Sequence, residues 1–274
     1  MGKTTRQASS SARQAADSPA LEVLARVGLV AYGIVHLLVG WLALQVAWGG
    51  SSENADQSGA LQQLAEQPFG TVLLWVLAVG LAALAIWQAT EAIWGVHESE
   101  RGKKLRKQAT AGGKAVIYLL LGISAARFAM GSGQSSSQSQ QDTTQGVLGW
   151  PGGQFIVAVA ALVVIAIGGA NIYRGVKKKF LRDLDTGSLP AKARRTLTRL
   201  GQFGHIAKGI ALALVGLLLG YAAVTYDPEK ATGLDGAMRT IVEQPFGKFL
   251  LTAVALGFVA FGIFAFAQAR YRRM

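Results

Sequence analysis

The chain contains no cysteine. Disulfide bonds, thiolate nucleophiles and cysteine-ligated metal or iron–sulfur centres are thereby excluded. Charge is sparse: 15% of the 274 residues are Asp, Glu, Lys or Arg, against 51% hydrophobic, and the mean hydropathy is +0.34. Average soluble domains carry about 25% charge, so this composition is that of a polytopic membrane protein. Reactive constellations are missing as well. No G-x-x-x-x-G-K-[ST] loop, H-E-x-x-H pair or G-x-S-x-G elbow occurs. Glu91 is the only acid in any apolar run, which leaves no carboxylate pair inside a membrane. The expectation is a protein that is not an enzyme, with no catalytic, cofactor-binding or metal-binding residues and no cofactor.

What the chain does have is length in its apolar runs. Six of them, at 27–48, 70–94, 112–131, 152–174, 203–224 and 247–269, reach the ~20 residues needed to cross a hydrocarbon core. The fold class expected is therefore all-α, an integral membrane bundle of six transmembrane helices. Residues 1–20 are polar and rich in Ser, Gln and Ala, and read as a disordered tail. The first apolar run exceeds the h-region of a cleaved signal peptide, so it reads as an uncleaved anchor.

An internal repeat organises the runs. Glu66-Gln67-Pro68-Phe69-Gly70 returns as Glu243-Gln244-Pro245-Phe246-Gly247, with a weaker copy at Trp150-Pro151-Gly152-Gly153. Gly40, Gly122 and Gly216 align in the first helix of each copy. Each unit holds two helices, so each starts and ends on one side: the units are parallel and not inverted. Three parallel two-helix repeats imply pseudo-threefold symmetry about the membrane normal. The expected organisation is a tail (1–20), repeat 1 (21–98), repeat 2 (103–182), a basic linker (183–199) and repeat 3 (200–274), the repeats forming one membrane domain.

Between the two helices of a repeat, the spacing of Leu61 and Leu64 predicts a short helix over 60–66 lying on the outer surface with its apolar side toward lipid. Met238, Ile241 and Val242 repeat that pattern. The middle copy has instead a Ser/Gln run, 132–141, which reads as flexible. Proline then opens each second helix, where its missing N–H costs least. Trp48, Trp94 and Trp150 fit an aromatic belt at run ends.

The formal charge of +12 is distributed unequally. Of the 27 Lys and Arg, 23 fall in the N-terminal segment up to Arg26, the 95–114 and 174–208 connections and the C-terminus, all on one side of the membrane. The positive-inside bias places that side, and both termini, in the cytoplasm. Topology and anionic lipid explain the basic rim without nucleic acid. Lys177, Lys178 and Lys179, then Lys192 to Arg199 with Arg194 and Arg195, read as amphipathic basic helices on the inner leaflet that contact anionic headgroups. A membrane or cytosolic protein partner could use the same face.

Polar groups in apolar runs are costly and raise functional hypotheses. His36 lies near mid-depth of the first run, and Gln45 and Gln88 are further candidates for lining a path. Glu91 and Arg174 occupy equivalent repeat positions and could form an ion-paired inner gate, the bland alternative being that each snorkels to the headgroups. His36 is equally explained by an interhelical hydrogen bond worth under about 1 kcal/mol. His36 and His205 differ by seven residues in repeat register, about 10 Å of depth, which argues against a shared haem iron. His97 sits in a basic connection.

The Gln-Pro-Phe-Gly motif, the first-helix glycines, the ending Ala269-Arg270-Tyr271-Arg272-Arg273 and the middle copy's Tyr173-Arg174-Gly175 followed by Lys179-Phe180-Leu181 resemble the DUF1206 family over residues 21–273. That resemblance implies a bacterial membrane protein of three two-helix repeats and transfers no activity. The expected function is a non-enzymatic structural or partner- and lipid-binding role. The alternative is a small-solute or ion transporter or channel with a path along the pseudo-threefold axis.

Overall fold

The computed structural model describes residues 19–49, 54–93, 101–185, 187 and 189–271. Among these the chain is helical: α1 (Pro19–Ala47), α2 (Gln57–Ala65), α3 (Gly70–Ile93), α4 (Arg101–Ala129), α5 (Ser136–Leu148), α6 (Gly153–Val176), α7 (Ala191–Thr225), α8 (Gly233–Val242) and α9 (Gly247–Tyr271). Short 3-10 turns lie at Lys179–Asp183 and Pro228–Lys230. Six helices are long and apolar enough to cross a membrane, namely α1 from Arg26, α3, α4 from Lys107, α6, α7 and α9. Helix is the form that satisfies every backbone N–H and C=O within its own segment, as a bilayer requires. The expected tail, Trp94 and His97 lie outside the described residues.

Each second helix is entered by the same turn. Phe69 (φ 64°), Gly152 (φ 77°) and Phe246 (φ 61°) hold equivalent positions and are all left-handed. The following glycine N–H closes the turn onto the residue three before it: Gly70 to Gln67 O (2.8 Å), Gly153 to Trp150 O (2.9 Å) and Gly247 to Gln244 O (2.7 Å). A left-handed Phe is unfavourable, and Gly at the middle copy avoids that strain. The turn is thus imposed by the repeat and not by local preference alone.

The contacts group the chain into two units. One holds α1 up to Tyr32 with residues 64–132, and the other holds residues 33–63 with 133–273. In the first unit, α3 approaches α1 so closely that a Cβ on Gly80 would lie 2.8 Å from Gly28 Cα. There α4 meets α3 at Gly122, whose Cβ position is 3.4 Å from Ala78 O and 3.6 Å from Ala82 N. In the second unit, α1 meets α9 at Gly40, 2.9 Å from Ala255 O and 3.1 Å from Val259 N. The same unit joins α7 to α6 at Gly216, 3.0 Å from Ala161 O and 2.9 Å from Ile165 N. These three contacts are one contact repeated: Ala78, Ala161 and Ala255 are equivalent in the repeat, as are Ala82, Ile165 and Val259. The first helix of repeat 2 takes the second helix of repeat 1, that of repeat 3 takes repeat 2, and that of repeat 1 takes repeat 3.

The three connecting helices lock together inside the second unit. Ala55 N–H donates to Asp235 Oδ1 (2.8 Å), Ser136 N–H to Ser58 Oγ (2.9 Å) and the Ser137 hydroxyl to Thr232 O (2.7 Å). Every repeat is therefore bonded to both others through these segments. Three expectations are corrected here. Leu61 and Met238 are buried in protein, 2% and 0% exposed, because α2 and α8 turn their apolar faces to the bundle ends instead of to lipid. The Ser/Gln run is ordered, forming α5 from Ser136, since its hydroxyls find partners on the neighbouring loops. The cluster Lys192 to Arg199 is not a separate surface helix: α7 begins at Ala191 and carries it as the first turns of the fifth span.

Asp56 is the centre of this cap. It is fully buried, and its Oδ1 accepts from Ser58 N–H (2.8 Å) and Gly59 N–H (3.0 Å) at the start of α2. Its Oδ2 has no hydrogen-bond partner among the described residues. Burial pushes its carboxyl above the ordinary value of 3.8, the bonds from Ser58 and Gly59 oppose the rise, and the charge of Asp235 adds to it.

The packing and the cap each generate a prediction. Gly216→Ala and Gly40→Ala should each cost about 1–3 kcal/mol, because their Cβ would overlap backbone atoms, while Gly122→Ala is tolerated. Thermal unfolding in detergent reads the difference, and equal losses at all three sites would refute it. Because the folded value of Asp56 lies above the unfolded one, its burial carries no ionisation penalty at pH below the ordinary value of 3.8, destabilises increasingly as pH rises from there toward the elevated value, and levels off above it. Asp56→Asn should therefore flatten the pH dependence of the unfolding midpoint above the ordinary carboxyl value and raise the midpoint at the alkaline end. An unchanged pH profile would rule that out.

Candidate functional site

The two buried histidines of the second unit, His36 and His205, gather around Phe261 of α9. His36 on α1 is 1% exposed and packs against Phe261 (centroids 4.8 Å) and Phe258 (6.0 Å, near-parallel). Its Nε2 lies 3.2 Å from Lys208 Nζ on α7. An ammonium only donates, so Nε2 accepts and the ring proton sits on Nδ1. Lys208 Nζ also stands 4.6 Å over the Phe261 ring, in cation–π range. Lys208 thus bridges α7 to α1 and α9 with its charge inside a span.

His205 lies one turn before Lys208 on α7. Its Nδ1–H donates to Gly201 O (2.7 Å), and its ring stacks on Phe180 (4.9 Å) and meets Phe261 (5.2 Å) and Phe264 (5.5 Å) edge-on. Both intramembrane histidines are therefore committed to one aromatic cluster that shares Phe261. Among the described residues no group of three His, Asp or Glu is placed to hold a metal ion.

The first unit carries the same contact in another chemistry. Tyr118 of α4 meets the ring of Tyr32 on α1 edge-on at 5.8 Å. Tyr118 is the repeat equivalent of His36, and Tyr32 the equivalent of Lys208. One register position and its neighbour a turn later join consecutive first helices in each unit, as Tyr–Tyr in one and Lys–His in the other.

The remaining candidates disperse. Gln88 is fully buried in the first unit, and neither amide atom has a hydrogen-bond partner among the described residues. Glu91 is half-buried one turn later on α3, and Gln45 is half-buried near the end of α1 in the second unit. Arg174 pairs with Asp183: the 3-10 turn after α6 folds back and brings Asp183 to Arg174, nine residues along the chain. Lys177 and Lys178 are exposed, while Lys179 lies 4.3 Å over the ring of Tyr173. This basic segment is a 3-10 turn and not the amphipathic α-helix expected. Phe180 is fully buried against His205 and Phe264 and pins it to α7 and α9. Arg194 and Arg195 are exposed on the first turns of α7.

Sequence reasoning misses Lys208 and Asp183. Lys208 has a signal, a lone cation inside an apolar run, but it merges with the adjoining basic connection. Asp183 has none, since its partner is set by the fold-back of the turn.

His36→Ala opens a void between Phe258 and Phe261 and should cost about 2–4 kcal/mol, whereas His36→Phe keeps the packing and should lose clearly less. The unfolding midpoints of the two variants decide this. Equal losses would place the stabilisation in the Lys208 bond instead.

Comparison with known proteins agrees with the repeat. The family described as Domain of Unknown Function (DUF1206) matches residues 27–95, 109–178 and 203–272. An uncharacterised protein of Bacillus subtilis (strain 168), YxxB, is 32% identical over 261 residues, which is 93% of each chain. No solved structure matches. The three matched stretches begin and end with the three helix pairs read from the sequence and seen in the fold, and the chain belongs to the DUF1206 family of membrane-spanning helical proteins.

Proposed function

We propose that this protein is a non-enzymatic component of the bacterial plasma membrane, with both termini cytoplasmic, whose role is structural and rests on contacts with anionic lipid and with a protein partner. The observation that carries this reading is the commitment of its interior groups to packing. The glycine contacts leave no room for a methyl at Gly40 or Gly216, and His36 and His205 are held in aromatic stacking. Nine Lys and Arg but only two Asp lie from Arg174 to Arg199, which favours a cytoplasmic, anionic-lipid face for that end.

A second reading, a transporter of a small solute or ion, is favoured by two observations: the charge of Lys208 against His36 within a span, and the buried amide of Gln88 without partners among the described residues.

The absence of cysteine makes both readings testable in the native background. Single cysteines at exposed Lys178, Arg195, Ser132 and Lys230 should react with an impermeant thiol reagent from opposite sides of the membrane, the first two from the cytoplasm. Proteoliposomes should show no solute or proton flux that depends on His36 or Gln88. Flux abolished by His36→Ala would establish the transport reading in place of the structural one.

A further inference from the structure

A groove of about 540 Å³ opens between α7 and α9 at the basic end of these helices. Its walls are Lys192, Thr196 and Leu200 of α7 and Ile263, Ala267 and Tyr271 of α9. The two helices run in opposite directions, so the groove grades from polar to apolar. Lys192, Thr196 and Tyr271 lie at its mouth, and Leu200 and Ile263 lie about 12 Å deeper by helical rise. The floor is firm, because Leu197 and Phe264 belong to the buried cluster around Phe180 and Leu184, against which Leu200, Ala267 and Tyr271 pack.

The first turn of α7 has no acid and carries Lys192 and Arg194, with Arg195 following and Arg270 exposed on α9. One acid, Asp185, also stands at the mouth, its backbone N–H bonded to Tyr271 O (2.7 Å), so the basic groups outnumber it. An amphiphile with an anionic head and an apolar tail matches both ends of this groove.

We propose that the groove between α7 and α9 is a binding site for an anionic phospholipid, one acyl chain lying along Leu200 and Ile263 and the headgroup meeting Lys192. This rests on the lipid-binding part of the function proposed above and names its site. The acyl chain supplies recognition by shape, and Lys192, the one basic residue in the groove wall, supplies selection by charge.

Native mass spectrometry of the full-length protein in detergent tests it, by titration with phosphatidylglycerol and with phosphatidylcholine of the same acyl chains. The wild-type protein should prefer the anionic lipid by about fivefold at the first bound lipid, the factor expected for one basic residue at a membrane surface. Lys192→Gln should bring that preference close to parity while both lipids still bind. Ala267→Trp fills the groove and should weaken both. Lys248→Gln, at the opposite end of α9, should change neither, and glycerol phosphate without acyl chains should not compete. An unchanged preference in Lys192→Gln, or full lipid binding in Ala267→Trp, would overturn the proposal. Loss of a dimer in Ala267→Trp with lipid binding intact would assign the groove to a second copy and overturn it too. Lys192 is exposed, so its variant folds whatever becomes of the tryptophan. Occupancy is read without flux, so this site and the structural role can fail independently.

Discussion

The fold depends on the distance to which two helix backbones can approach in a lipid-like environment. Between helices already surrounded by hydrocarbon there is little apolar area left to bury, so association relies on van der Waals contact and on the few polar bonds available. Dispersion falls off steeply with separation, and a missing side chain is what allows the contact. Gly40, Gly122 and Gly216 do this at one register position in each repeat, against the same backbone carbonyl of another repeat's second helix. The repeats are therefore not self-contained hairpins that happen to be linked. Each supplies one half of two interfaces, and the order of the chain, 1 to 2 to 3 and back to 1, is the order of contact. The looser fit at Gly122 shows how far the repeats have diverged, since there a methyl would sit at ordinary contact distance.

The cap formed by α2, α5 and α8 uses a different force. Its segments are rich in Ser, Thr, Asp and Gln, and its bonds join backbone and side-chain groups across all three repeats. Burying Asp56 costs free energy that the bonds from Ser58 and Gly59 only partly offset. Such a cost is sustained when the ordered loops gain a unique arrangement. The same reasoning covers the left-handed Phe69 and Phe246, whose side chains are 82% and 80% exposed and gain nothing from packing. They are held in an unfavourable conformation by the turn that starts the next span.

Charge inside the second unit is handled by aromatic faces. Phe261 takes Lys208 on one side and packs with both His36 and His205, so three groups that would each be expensive alone share one neutral partner. At the basic end, Phe180 plays a comparable part: buried against His205 and Phe264, it fixes the lysine-rich turn and backs the floor of the groove between α7 and α9.

The number of spans, their limits to within a few residues except at the start of the fifth, which begins at Ala191 instead of 203, the three-copy plan and the uneven distribution of charge were all legible in the sequence. Hydropathy and proline placement are local properties, and helix is the form a bilayer imposes on such runs. The aligned glycines were legible too, but not what they touch. Which helix faces Gly216, that Leu61 is buried in protein, that Lys208 meets His36 and that Arg174 meets Asp183 were decided only in three dimensions. In lipid nearly every face of a span is apolar, so periodicity does not mark the buried side, and lateral partners are chosen by close fit between surfaces far apart in the chain. For the polar loops the reason is the converse. A Ser/Gln run has no local pattern that separates a flexible linker from α5, and its order comes from donors and acceptors supplied by the two other repeats.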